Sequence, residues 1–222
     1  MNKKLLVIGD SFCARRSRED DWPVALANML NLELTGIGIP GGSWWFIRKK
    51  FLELVNTDDF VNSELVIFCH TEPHRIIGTD TTLNHHSDEN QHICKIYYSY
   101  LQNEEFNHWA CKQWFSELNT LVKNQKVIHL QNFRATNNYF SILDSIKLSS
   151  PCLTDISMQE VGAENSGVLI SDHDRRNHFN TQTNKNLASF LCSIYHQYKN
   201  CWANTDIKVS VNDIQSHQAA QS

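Results

Sequence analysis

The chain lacks several features that would fix its class at once. No stretch approaches the roughly 18 consecutive apolar residues that a membrane-spanning helix needs, so no membrane partner is expected. The basic start Met1-Asn2-Lys3-Lys4 leads into only four apolar residues, Leu5 to Ile8, before Gly-Asp-Ser ends the run. That is too short for the core of a secretory signal, and a cytoplasmic location is expected. A compact chain with no secretion signal would equally suit a virus-encoded or accessory protein. The seven cysteines are odd in number, scattered and never spaced as CxxC. They argue against a disulfide frame or a structural zinc site, and for reduced, mostly buried thiols. Strong charge of one sign is also missing. The net charge is -4, and the basic run Arg15-Arg16-Ser17-Arg18 is answered at once by Glu19-Asp20-Asp21. Neighbouring opposite charges cancel the far field, so no nucleic-acid partner is expected. No internal repeat is found, and nothing in the pattern fixes an oligomeric state.

What is present is a core and an alternation. Hydrophobic residues make up 41% of the 222, with 6 Trp and 11 Phe, enough for one large domain. Short apolar runs read as buried strands at 4–8, 32–37, 65–69 and 126–130. Between them lie helical patterns at 20–30, 44–55, 93–101 and 105–123, and a last one at 180–198. Trp22, Leu26 and Leu30 mark the inward face of the first helix, with Pro23 tolerated in its opening turn. Trp109, Phe115, Leu118 and Val122 fall near helical spacing in the fourth. Residues 132–170 are hard to read and are expected to hold a short fifth strand. The expected domain covers residues 1–202. Residues 203–222 turn polar and read as a C-terminal tail, with an edge strand possible at 207–211.

Strands alternating with helices imply parallel pairing. The expected architecture is α/β, a three-layer α/β/α domain around an open parallel sheet of about five strands, flavodoxin-like. Ligands on such sheets bind beyond the carboxyl ends of the strands. Two residues then stand out. Ser11 follows the first strand in Gly9-Asp10-Ser11, and His178 precedes the last helix in Asn177-His178. A serine hydroxyl is a poor nucleophile until a base lies beside it, and an imidazole is the usual base.

These blocks resemble those of the SGNH (GDSL-like) hydrolase family, over roughly residues 4–195. The resemblance implies an SGNH hydrolase fold and a serine esterase that needs no metal or cofactor. It implies Ser11 as nucleophile and His178 as base, with Asn180 two residues on. It implies an oxyanion hole from the Ser11 N–H and from Gly41, in the Gly41-Gly42-Ser43 loop after the second strand. The family's third block normally carries Gly-x-Asn-Asp. Here the chain reads His70-Thr71-Glu72-Pro73, so the oxyanion asparagine is missing, and Thr71 is the candidate replacement, with His70 or a backbone N–H as others. The fifth block normally reads Asp-x-x-His, yet Arg175 stands three before His178. Asp174 is the expected triad acid, with Asp172 second. Asp10, Trp44 and Arg75 are candidates for contact with substrate. Asp10 would equally suit a hydrogen bond to the following loop, and Arg75 a surface ion pair. The substrates implied are small acyl esters, including O-acetyl groups on carbohydrate. The missing asparagine and the displaced acid keep a second class open, a decayed binding or structural protein on the same fold.

Two other patterns compete. Gly36-Ile-Gly38-Ile-Pro-Gly41 matches GxGxxG ahead of a helix. It follows the second strand rather than the first, and Pro40 removes an N–H from the turn that should cradle phosphate. His70, His74, His85, His86 and His92, with Asp80 and Asp88, carry metal-ligand chemistry but no tight ligand spacing, and read as solvent-exposed.

Overall fold

The computed structural model describes residues 3–13, 21–40, 42–73, 92, 95–133, 137–161 and 179–217. Six parallel strands form one sheet in the order β2-β1-β3-β4-β5-β6. They are β1 (Lys4–Gly9), β2 (Glu33–Gly38), β3 (Ser63–His70), β4 (Val127–Gln131), β5 (Ile146–Ser150) and β6 (Thr205–Lys208). The helices are α1 (Trp22–Leu30), α2 (Trp44–Leu54), α3 (Asp58–Val61), α4 (Glu104–Val122), α5 (Asn137–Phe140), α6 (Leu153–Val161), α7 (Thr181–Tyr198) and α8 (Val211–Gln215). A single π-helical turn, Tyr97–Leu101, precedes α4.

The side-chain alternation of the central strands explains the three layers. Leu5, Val7, Leu65, Ile67, Cys69, Ile128 and Leu130 face one core, filled by Trp22 and Leu26 of α1, Ile156 of α6 and Leu187, Leu191 and Ile194 of α7. Leu6, Ile8, Val66, Phe68 and Val127 face the other, filled by Trp44, Ile47 and Phe51 of α2 and by Cys111, Trp114, Phe115 and Leu118 of α4. On α4 the inward stripe begins one step away from the expected face. Trp109 is 57% exposed, and Cys111 and Trp114 take the inward positions instead.

The sheet has one strand more than the expected five. β6 pairs with β5 inside the segment read as a tail, and α8 follows it with Ile214 fully buried against α7 and α6. Alternation explains the strand, since Ile207, Val209 and Val211 all pack toward the first core while the residues between them are polar.

β2 is the expected strand shifted by one residue, so that it takes in both Gly36 and Gly38 of the glycine pattern. Gly36 has φ 144°, and a Cβ there would stand 2.1 Å from the Val7 carbonyl oxygen. Its glycine therefore serves the close approach of two strands, not a phosphate cradle.

Candidate active site

In the order β2-β1-β3 the chain reverses direction across the sheet, and the crevice at such a switch point is where open α/β sheets hold ligands. Gly9 is the last residue of β1, in register with Gly38 on one side and Cys69 on the other. Asp10 and Ser11 therefore stand just beyond the carboxyl ends, between β2 and β3. Ser11 opens a short 3₁₀ turn, Ser11–Cys13, and is partly exposed. Its hydroxyl makes no hydrogen bond to any described residue.

The turn is held from below. Asp10 is fully buried, and its Oδ1 accepts from the Phe12 backbone N–H at 3.1 Å and from Asn132 Nδ2 at 2.7 Å. The Cys13 N–H donates to the Asp10 carbonyl at 3.2 Å, closing the turn. Asn132, also fully buried, leaves the end of β4. Its N–H donates to the His70 carbonyl at 2.9 Å, and its own carbonyl accepts from the Thr154 N–H and hydroxyl at the start of α6. One asparagine thus links the ends of β1 and β3 to α6. Asn132 carries no motif, and in the sequence only its place directly after the fourth strand marks it.

A second unforeseen contact joins the two ends of the chain. The Phe12 ring packs on the Phe179 ring at 5.5 Å between centroids and on Phe133 at 5.9 Å. Trp22 Nε1 donates to the Phe12 carbonyl at 2.8 Å, and the Trp22 N–H donates to Asn184 Oδ1 in α7 at 3.0 Å. Asn184 Nδ2 in turn donates to the Phe179 and Asn180 carbonyls. Asn180 caps α7, accepting the Thr183 N–H at 2.9 Å. The residue after Ser11 and the residue after His178 are therefore in contact.

Across the crevice Thr71 leaves the end of β3. It is 2% exposed, and its hydroxyl has no hydrogen-bond partner. A buried hydroxyl without a partner costs about 1–3 kcal/mol, so one at a strand end is a donor in reserve. Trp44 stands at the start of α2, after Ser43, whose hydroxyl accepts the Phe46 N–H at 3.3 Å. The Trp44 ring is buried, edge-on to Trp45 at 5.9 Å, and its indole N–H is likewise without a partner. Of the loop between, Gly42 donates its N–H to the Ile39 carbonyl at 2.9 Å. Gly41, Arg75, Asp172, Asp174 and His178 lie outside the described residues.

The fold is similar to that of a solved esterase. An acetyl xylan esterase, AlAXEase, matches with a TM-score of 0.50 and 18% identity, over 86% of this chain and 98% of that one. No family model matches the sequence, and no curated protein does. At this identity the likeness is one of fold.

His70 corrects the expectation of solvent-exposed histidines. β3 continues one residue past its apolar run, so His70 points into the second core, stacked on Phe68 and edge-on to Phe115 at 4.6 Å. Its Nε2 lies 2.9 Å from His129 Nδ1, one imidazole donating and the other accepting. Burial pulls His70 down to about 3. Burial first, then the neighbouring His70 and Lys147, pulls His129 well below its usual range. Both rings are neutral, which makes His70 a structural residue rather than a charged oxyanion donor. Of the other metal-ligand candidates only His92 is described, and it is exposed. Among the described residues no cluster of His, Cys, Asp or Glu could hold a metal ion, and no helix is long and apolar enough to cross a membrane.

Proposed function

We propose that the protein is an SGNH-type serine esterase that hydrolyses a small acyl ester through an acyl-serine intermediate. The observation that carries this reading is the Phe12–Phe179 contact, which joins the immediate sequence neighbours of Ser11 and His178 at the carboxyl ends of the strands. Ser11 Oγ attacks the ester carbonyl carbon while His178 takes its proton. His178 then returns that proton to the leaving alcohol as the carbon–oxygen bond breaks. Water, deprotonated by the same imidazole, releases the acid and restores Ser11. Asp174, or failing it Asp172, orients the imidazole.

The Ser11 N–H, the Gly41 N–H and the Thr71 hydroxyl receive the developing oxyanion. The unpartnered Thr71 hydroxyl supports its place in that set, in the position where the family carries asparagine. Each such donor contributes about 3–4 kcal/mol to the transition state. Asp10 acts through the turn that it braces. Trp44 walls the acyl side of the crevice, and Arg75 meets the polar part of the substrate. The chemistry calls for no metal or cofactor. An O-acetyl group on carbohydrate is the favoured substrate, in keeping with the name of the fold neighbour and with the polar sequence after β3.

The test is hydrolysis of p-nitrophenyl acetate. The wild type turns it over, and Ser11→Ala lowers kcat by about three orders of magnitude or more with an unchanged melting temperature. Equal, background-level rates for the two proteins favour the decayed binding protein, the reading that the substituted third block keeps alive.

A further inference from the structure

We propose that Cys13 and Cys69 are a redox modification site, two free thiols that a peroxide closes into a reversible disulfide beneath the Ser11 turn. Both side chains are buried and reduced. They belong to the α1 and α7 side of the sheet, the face opposite His70. Gly9 lies between them. A Cβ on Gly9 would stand 2.9 Å from Cys13 Sγ and 2.6 Å from Cys69 Cβ, so the two cysteines meet in the space that a missing methyl leaves. Cys13 Sγ and Cys69 Cβ thus crowd one point, which leaves the two Cβ atoms to be brought to the roughly 3.5–4.5 Å that a disulfide spans. The Cys13 thiol donates to the Asp10 carbonyl at 3.4 Å, and burial first, then the neighbouring Cys13, hold the Cys69 thiol well above its usual range.

The two thiols differ in access. Cys13 lines a cavity of about 50 Å³ under α1, together with Val7, Pro23, Leu34 and Gly36. A water needs about 10–15 Å³ of such volume, so a peroxide molecule fits. Cys69 is kept protonated and away from that cavity. Cys13 therefore reacts first and Cys69 resolves it. The Cys13 sulfur, having given up its proton, attacks one peroxide oxygen; the S–O bond forms, the O–O bond breaks, and hydroxide leaves to become water. The Cys69 sulfur then attacks the sulfenic sulfur; the S–S bond forms, the S–O bond breaks, and the oxygen departs as a second water with the Cys69 proton. Two thiols lose two electrons and two protons, and the peroxide becomes two waters. A dithiol reductant reverses the step by exchange.

Cys13 closes the same turn that Ser11 opens. Drawing its sulfur onto β3 moves that turn, so the oxidised protein should lose its reactivity at Ser11. That consequence, unlike the bridge itself, rests on the esterase reading. The experiment treats the folded wild type with hydrogen peroxide, blocks remaining thiols with iodoacetamide in denaturant, and maps peptides without reductant. The expected result is a Cys13 peptide joined to a Cys69 peptide, lighter by two hydrogens and separated by dithiothreitol. In Cys69→Ala, with its melting temperature checked, dimedone traps Cys13 as the sulfenic acid and no bridge forms. Recovery of Cys13 and Cys69 fully alkylated, at peroxide doses that oxidise the exposed Cys201, overturns the proposal, as does a bridge from Cys13 to any other cysteine. Fluorophosphonate labelling of Ser11 is followed in the same samples. A bridge with no labelling in either redox state supports the thiol pair and counts against the esterase.

Discussion

At the residue scale the turn that carries Ser11 rests on side chains buried beneath it. Asn132 Nδ2 is one of two described donors to Asp10 Oδ1, and both residues are out of water. Asn132→Ala leaves a buried carboxylate oxygen short of a partner, which costs about 1–3 kcal/mol in stability. Because Asp10 also holds the Phe12 N–H, the same change should lower kcat on p-nitrophenyl acetate by at least about tenfold with little change in KM, since an interaction that matters only at the transition state is lost. Paired melting and kinetic runs check both, and a variant that melts early yet keeps full kcat would limit Asn132 to a structural role. The place of Ser11 at a strand end was legible because its signal is local, three residues after one apolar run. Asn132 and Phe179 were not. Asn132 meets Asp10 across 122 positions of sequence, and no period or motif encodes such a meeting.

At the element scale the carboxyl end of the sheet is tied to the C-terminal third of the chain. The strands β1, β3 and β4 could be read from their apolar runs because buried parallel strands carry little else. β2 could be read to within one residue at either end, although its glycines also fit a loop until the Val7 carbonyl beside Gly36 is known. β6 was half legible, since an edge strand has one polar face and a weak pattern. The turn that follows it is firmly built. Ser210 and Asp213 form a capping box that starts α8, and Ile214 is fully buried behind it. Ile214→Ala should cost about 2–5 kcal/mol, as for other large-to-small changes in a core. A midpoint in urea unchanged from wild type would show that residues 203–222 are the tail that their composition resembles.

At the scale of the whole molecule, stability should fall in acid earlier than carboxylates alone would make it. His70 and His129 are neutral in the fold and protonate near 6.5 in the unfolded chain. Their contribution is complete above that pH. It is lost as pH drops below about 6.5, for His70 toward about 3, because only the unfolded state binds the protons there. Glu64 adds a later limb. Burial opposes its ionisation, but bonds from Lys126, Lys3 and Tyr195 outweigh that and hold it at about 2. Its contribution is full above about 4.5 and disappears toward 2. In denaturant titrations between pH 6.5 and 4.5, His70→Phe should reduce the slope of stability against pH by about 1.4 kcal/mol per unit, one proton's worth. An unchanged slope would mean that His70 titrates normally in the fold.

The central claim is that the Ser11 hydroxyl is the nucleophile. Its most direct measurement is covalent capture, in which the native protein is incubated with a fluorophosphonate, digested and mapped. The account predicts one adduct, on the peptide containing Gly9-Asp10-Ser11 and at Ser11 itself, with the same labelling prevented by prior heat unfolding. An adduct on another serine, or none at saturating reagent, would contradict it.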